Sequence, residues 1–184
     1  LVDLIQKKPD VFALLELGCA SDYVHFSEVP KKFDIAHQFL AYNGRQSDFT
    51  FVAAEVGERK PRIVLQPVIN RAPNSAERIH VVRQFAQAGC EGSLMPLADD
   101  AEEHGRMLGR VALLVREGWA RAEALKAVTL HPARLLGLDG RLGSIEQDKD
   151  ADLIFLDADP LDPRARGREV MIAGEGVRRV EVPP

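Results

Sequence analysis

Six side chains that could bind a cation or move a proton follow hydrophobic runs with the composition of buried strands. They are one histidine and five carboxylates: Glu16, Asp22, His25, Glu55, Asp99 and Asp100. Oxygen ligands suit Mg²⁺, Mn²⁺ or Ca²⁺, so one interpretation is a carboxylate-rich rim that holds such an ion at the strand ends. The other is that these are solvated loop side chains, and that Asp99 or Asp100 caps the helix that follows.

Apolar runs alternate with segments of helical periodicity, which is typical of βα units around a mostly parallel sheet. The predicted strands of that sheet are residues 11–17, 49–56, 62–69 and 92–97. Only residues 57–61 separate the second strand from the third. A parallel crossover needs about a dozen residues, so the sequence predicts a hairpin or an irregular connection there.

Helical periodicity predicts segments at residues 27–43, 74–89, 101–117 and 123–137, the last as two short helices. In the first of them, Phe33, His37 and Leu40 form an apolar stripe. In the second, Glu77 stands where a capping box needs its acid. A buried strand at residues 152–157 and a hairpin of residues 169–174 and 177–182 complete the chain.

The other four histidines fall in or beside predicted helices. His37 is expected to be a boundary core residue, and His80 and His104 are expected to be exposed. His131 precedes a proline at a helix start and is expected to act as its cap. His25 is the functional candidate among the histidines because it follows a strand end.

Composition excludes several classes of function. The chain has 184 residues, a net charge of −4 and two cysteines, which argues against a general nucleic-acid binder and a disulfide framework. Nothing approaches the roughly 18 to 20 apolar residues of a membrane span. Leu1 begins inside an apparent helix, so we expect a missing N-terminal half, and any targeting segment would lie there. The compartment is therefore undetermined.

The sequence gives little support for a nucleotide-binding protein or a serine hydrolase. No glycine-rich fingerprint follows a strand and no P-loop is present. Ser93 stands in Gly92-Ser93-Leu94 without the second glycine of a nucleophile elbow. A small α/β binding domain unrelated to hydrolysis stays open as an alternative.

The stretch of residues 123–162 closely resembles the C-terminal segment of the metal-dependent amidohydrolase superfamily, especially its imidazolonepropionase-like and dihydroorotase-like branches. The residues that match that pattern are Ala124, Leu125, Thr129, Pro132, Ala133, Leu136, Gly137, Leu138, Arg141, Gly143, Ser144, Lys149, Ala151, Asp152, Leu153, Asp157, Asp159 and Pro160. His131 replaces the usual asparagine, and Asp148 the usual glycine. The resemblance implies an α/β fold: residues 1–138 as the C-terminal part of a (β/α)8 TIM-type barrel with peripheral helices, and residues 139–184 as strands of a small β-sandwich.

The resemblance also implies one or two divalent metal ions, Zn²⁺ or Mn²⁺/Mg²⁺, at the C-terminal ends of the strands. The family places histidines on its first, fifth and sixth strands and an aspartate on its eighth. Here the fifth-strand run ends near Glu16 and the sixth-strand run near Glu55, while Asp99 and Asp100 come two or three residues late. Glu16 and His25 are then the candidate metal ligands, and Asp99 and Asp100 the candidate catalytic residues. Zinc favours nitrogen and sulfur ligands, so this set departs from an ordinary zinc site.

Two functions follow from the resemblance. One is metal-assisted hydrolysis of an amide or cyclic amide C–N bond in a small-molecule substrate. The other is a catalytically degenerate paralogue with a binding or assembly role. A homo-oligomer is compatible with both functions, whereas nucleic-acid and membrane partners are not expected.

Overall fold

The computed structural model describes residues 13–17, 38–42, 62–71, 74, 76 and 78–179, the first two segments by their backbone. The chain forms two compact units, Leu1–Leu97 and Ala98–Pro184. Several predictions lie outside the described residues, namely the 49–56 strand, the positions of His25, His37 and Glu55, and the helix start near Ser27. No helix in the described part of the chain has the length and apolarity that a bilayer crossing needs.

The first unit contains a parallel sheet of four strands, β1 (Ala13–Leu17), β2 (Gln38–Tyr42), β3 (Arg62–Leu65) and β6 (Gly92–Leu94), paired in that order. Three of the predicted strands are thereby confirmed, and β3 and β6 are shorter than predicted. Ile63 and Leu65 are almost fully buried, as expected of parallel strands that are covered on both faces.

The second strand of this sheet corrects one prediction. Residues 38–42 form β2 and pair in parallel with both β1 and β3, so Leu40 lies in a strand and the helix predicted to reach Asn43 is wrong there. Phe39 and Tyr42 have high strand propensity, and pairing with β1 and β3 outweighs the helical spacing. Residues 43–61 then join β2 to β3, which is long enough for a parallel crossover. The hairpin or irregular connection predicted between residues 49–56 and β3 involves residues outside the described ones and stays a prediction.

A two-residue ladder interrupts the segment predicted as the next helix. β4 (Asn70–Arg71) pairs antiparallel with β5 (Arg78–Ile79). α1 therefore begins only at Val81 and runs to Gln87. Its N-cap is His80, whose Nδ1 accepts a hydrogen bond from the backbone N–H of Arg83 at 3.0 Å. His80 is buried, so the prediction that it is exposed is wrong, because its ring folds back onto the helix end.

The second unit begins with the helix of clearest periodicity. α2, Ala101–Arg116, confirms the prediction for residues 101–117, and Gly118 with φ +99° ends it. Val111 and Leu114 are fully buried, whereas Met107, Leu108 and Val115 of the predicted stripe are half-buried.

Two short helices follow, as predicted. They are α3, Arg121–Lys126, and α4, Leu130–Leu135. Thr129 is the N-cap of α4, while His131 lies inside the helix and is buried. The prediction that His131 caps this helix is wrong, because the helix begins at Leu130, two residues before the proline that was expected to open it.

The chain then passes very close to α4. Gly143 has φ +90°, and a Cβ built there would lie 2.8 Å from the Cβ of Ala133 and 2.8 Å from the Cα of Leu130. Such distances are far below van der Waals contact, so a side chain at this position would displace the helix. The match of Gly143 to the family pattern thus has a steric reason.

The chain ends in an antiparallel sheet of β7 (Leu153–Leu156), β8 (Gly167–Ile172) and β9 (Glu175–Arg179). Ala173 and Gly174, both with positive φ, form the turn of the predicted hairpin. β7 confirms the strand predicted within residues 152–157. Ile154 is 68% exposed and Phe155 43% exposed, so the prediction that this strand is buried is wrong. An apolar run predicts burial, but a strand is buried only where another part of the protein packs on it. The predicted boundary between barrel and sandwich at residue 138 stays a prediction.

Candidate functional site

The predicted catalytic residues Asp99 and Asp100 lie in the turn that leads into α2. Asp100 Oδ1 accepts a hydrogen bond from the backbone N–H of Glu103 at 2.8 Å, and Asp100 is the N-cap of the helix. This confirms the interpretation that one of the two aspartates caps the following helix. The first-turn N–H groups of a helix have no partner within it, so a carboxylate there stabilises the helix end.

Asp99 has a different surrounding. Its Oδ1 lies 3.4 Å from Nε2 of His104, and both side chains are exposed, His104 as predicted. An exposed pair at this distance contributes little free energy because water screens both partners. The structure thus brings Asp99, Asp100 and His104 together at one helix terminus.

Glu103 is a buried charged residue for which the sequence predicts no role. It is 8% exposed, and Arg110 binds it with two hydrogen bonds, Nε to Oε2 at 3.0 Å and an Nη to Oε1 at 2.7 Å. The Arg110 hydrogen bonds lower the pKa of Glu103, with a further contribution from Arg106. Glu103 and Arg110 are seven residues apart, which places both on one helix face. This spacing is the sequence signal from which their pairing could have been predicted. A carboxylate held ionised in this way is a poor proton acceptor.

The predicted metal ligands are placed only in part. Glu16 lies in β1, in backbone register with Ala41 of β2, and His25 lies outside the described residues. Glu16 belongs to the first compact unit, and Asp99 and Asp100 to the second. The roles of all four residues in metal binding or catalysis stay predictions.

The described residues alone do not fit a metal centre of the family's type. Among them, no three side chains of histidine, cysteine, aspartate or glutamate lie close enough together to hold an ion. Asp100 is engaged by a backbone N–H and Glu103 by two arginines.

Two cavities with shared lining residues lie along α2 within the second unit, with volumes of about 580 and 740 Å³. Gly109 and Leu113 line both, together with residues 161–163. The carboxylates here are engaged: Arg164 lowers the pKa of Asp162 to about 2 through its hydrogen bonds, and Arg121 lies 2.6 Å from Asp159. No acid–base pair is therefore available among the residues that line these cavities.

The residues that carried the family resemblance form a network of internal contacts. Lys149 Nζ donates to Ser144 Oγ at 2.5 Å, and Arg141 donates to Asp150 at 2.6 Å. Asp157 accepts from the backbone N–H of Arg166 at 2.7 Å and pairs with Arg168. The hydrogen bond from Arg166 is the main reason that the pKa of Asp157 is lowered. These polar groups hold turns and strands in place.

The arrangement of parallel strands, helices and a C-terminal antiparallel sheet agrees with the comparison to known proteins. The amidohydrolase family model matches residues 41–177. The chain therefore belongs to the amidohydrolase family, and it has the mixed α/β structure of that family's TIM-barrel proteins.

Curated relatives match over short stretches. N-acetylglucosamine-6-phosphate deacetylase of Bos taurus is 45% identical over 64 residues, which are 35% of this chain and 14% of that protein. A putative N-acetylgalactosamine-6-phosphate deacetylase of Escherichia coli K12 is 49% identical over 41 residues, 22% of this chain and 25% of that protein. The matched stretches are thus at most a quarter of these relatives' length.

Solved structures match over nearly the whole chain. An amidohydrolase from Thermotoga maritima MSB8 superposes with a TM-score of 0.81 at 23% identity, covering 97% of this chain and 46% of that one. The guanine deaminase of Escherichia coli gives a TM-score of 0.59 at 14% identity, over 98% of this chain and 50% of the enzyme. At these identities the likeness concerns the fold. The chain spans about half the length of these structures.

Proposed function

We propose that this chain is the C-terminal half of an amidohydrolase: the last βα units of a (β/α)8 barrel, followed by strands of a small β-sandwich. Four parallel strands in chain order support the barrel assignment, as does coverage of 46% of the Thermotoga protein. The exposed side chains of Ile154, Ile172 and Val177 support the sandwich assignment, because an apolar sheet face is stable when a second layer covers it.

We infer that the whole protein hydrolyses a C–N bond of a small molecule. The single observation that carries this function is the family match over residues 41–177. Fold alone does not select a substrate, and the structural neighbours include a guanine deaminase and a β-aspartyl dipeptidase. The curated relatives are deacetylases of N-acetylated hexosamine 6-phosphates, so this class is the first to test, before cyclic amides and N-acyl amino acids.

In this proposal a divalent metal is bound by residues beyond the described ones together with Glu16 and His25. Asp99 stays the candidate catalytic residue at the start of α2. Asp100 has its structural role as the cap whether or not it also reacts. The competing proposal is a degenerate paralogue that binds a ligand or a partner without turnover.

The test is hydrolysis by the protein expressed with whatever sequence flanks this chain in its gene. Acetate release from N-acetylglucosamine 6-phosphate, and opening of cyclic amides, would be followed with Zn²⁺ or Mn²⁺ added. The proposal predicts turnover that a chelator abolishes and that added metal restores.

The chain offers a matched pair of variants for this assay. Asp99→Asn removes the candidate catalytic carboxylate, whereas Asp148→Asn removes a carboxylate from the turn at residues 147–150, which we place outside any site. Loss of turnover in Asp99→Asn alone supports the assignment. Absence of turnover with every substrate and metal, in protein that melts cooperatively, favours the degenerate paralogue.

A further inference from the structure

Ser93, in the middle of β6, carries a buried hydroxyl group that neither the family pattern nor the predicted site uses. The residue is only 3% exposed. Within the part of the chain that the structure describes, its Oγ has no hydrogen-bond partner. Most buried polar groups are bonded to protein or water, and a hydroxyl without a partner is unfavourable in an apolar surrounding. This group therefore needs an explanation.

The register of the sheet places Ser93 in one row with residues of the other three strands. Ser93 is in register with Val64, Val64 with Ala41, and Ala41 with Glu16. Residues in register on neighbouring strands lie on the same face of a sheet. The row thus contains two positions with polar residue types, at its two ends.

Around Gly92 the opposite face of the sheet is apolar and closely packed. A Cβ at Gly92 would lie 3.3 Å from Cδ1 of Leu65 and 4.0 Å from Cγ2 of Ile63. Gly92, Ile63 and Leu65 therefore share the face that alternates with the row of Ser93. The row of Glu16 and Ser93 thus lies on the face opposite this packed apolar region.

We propose that Ser93 is a ligand-binding residue, whose hydroxyl forms a hydrogen bond with an uncharged oxygen of the substrate on the Glu16 face of the sheet. The inference rests on the proposed function for the existence of a substrate there. An uncharged carbonyl or hydroxyl oxygen fits because the neighbour in register, Val64, is apolar, and a buried charge beside it would be strongly disfavoured. The hydroxyl without a partner is then a group that the ligand satisfies.

The test compares Ser93→Ala with the wild type and with Ser144→Ala in the protein expressed with its natural flanks. Ser144 is the matched control because its hydroxyl already bonds Glu146 and Lys149 within the chain. Thermal unfolding is measured without ligand and with N-acetylglucosamine 6-phosphate, representatives of the cyclic amides, and N-acyl amino acids. The KM of any probe that is hydrolysed is measured in parallel.

We expect Ser93→Ala to raise the Tm of the ligand-free protein by about 2 to 4 °C, since it removes a buried hydroxyl that has no partner. The same variant is expected to weaken binding of the probe about tenfold, the effect of one lost hydrogen bond. Ser144→Ala is expected to leave binding unchanged and to lower Tm slightly. A variant that is more stable yet binds less well is the result that a purely structural serine would not give.

Other results would overturn the inference, the proposed hydrolysis, or both. A lower Tm in ligand-free Ser93→Ala means that the hydroxyl is bonded inside the protein or to a permanent water. A higher Tm with unchanged binding means that Ser93 is an unsatisfied core residue. A ligand can raise the Tm without being hydrolysed. A wild type whose Tm is raised by a probe that it does not hydrolyse therefore refutes the proposed hydrolysis, and the role of Ser93 is then decided by the binding of that probe to Ser93→Ala. A wild type that no probe stabilises refutes both.

Discussion

The segment of residues 129–157 and the turn of residues 95–100 both contain polar and small residues, but they use them differently. In the first, Lys149 and Asp150 bind partners within the same segment. Asp157 binds Arg166, just before β8, and Arg168 within it. In the second, Asp99 is fully exposed and Asp100 is bonded only to a helix end. The polar groups of the segment that identifies the family thus stabilise the fold. The turn that contains the candidate catalytic residues instead has an exposed carboxylate, that of Asp99.

The largest effect on the scaffold is expected from Gly143→Ala. The new Cβ meets the backbone of α4 and the residue keeps a positive φ that alanine disfavours, so we expect a loss of about 3 kcal/mol from overpacking and strain together. Chemical denaturation measures it. Gly137→Ala is the control, since φ is +70° there and nothing lies within 4 Å of the new Cβ; its loss should be about 1 kcal/mol, from the left-handed backbone conformation alone. Equal losses in the two variants would contradict the close approach to α4.

A smaller loss is expected when Arg110 is replaced by glutamine, because Glu103 then loses its two strongest hydrogen bonds. The pKa of Glu103 is lowered in the folded protein from its ordinary value of 4.5. Its contribution to stability is therefore present above pH 4.5 and is lost as the pH falls through the lower folded pKa. The Tm difference between wild type and variant should shrink on acidification. Lys126→Gln, which affects an exposed pair, is the comparison and should show a much smaller difference near neutral pH.

The smallest effect separates capping from catalysis at Asp100. Asp100→Ala should lower stability by about 1 kcal/mol through loss of the N-cap, while Asp100→Asn keeps an acceptor and should lose much less. Thermal unfolding and turnover are measured on both. If Asp100→Asn is stable but inactive, Asp100 has a catalytic role besides the cap. If it is stable and active, its function is structural.

Residues with strong periodicity could be placed from the sequence, and residues whose structure depends on neighbours could not. The stripe around Val111 and Leu114 predicted α2 nearly to the residue, and Gly118 and Gly137 correctly marked helix ends. The sequence predicts a helix at Leu40 because a short apolar run fits both the helical and the strand period. Pairing with β1 and β3 makes this segment a strand. Asn70 and Ile79 pair across a turn, which no local pattern at residue 79 indicates.

The candidate site was predictable only where one residue acts locally. The cap by Asp100 follows from its position before a helical stripe, and it was foreseen. The spacing of Glu103 and Arg110 places them on one face of α2, but whether they pair depends on their rotamers across two helical turns. That the hydroxyl of Ser93 has no partner depends on the packing of the sheet, which is a tertiary property that a single sequence does not display.

The tip of the β8–β9 hairpin is joined to the start of β7. The backbone N–H of Ala173 donates to Asp152 Oδ1 at 2.8 Å, and that of Gly174 donates to the carbonyl of Ala151 at 3.2 Å. An exposed turn ordinarily exchanges its amide hydrogens with solvent quickly, because it opens by itself. Here both amides are occupied by the segment that precedes β7, so the tip opens only when that segment is released. Hydrogen exchange at these two amides therefore reports the attachment of β7 to the hairpin, and not the mobility of a loop.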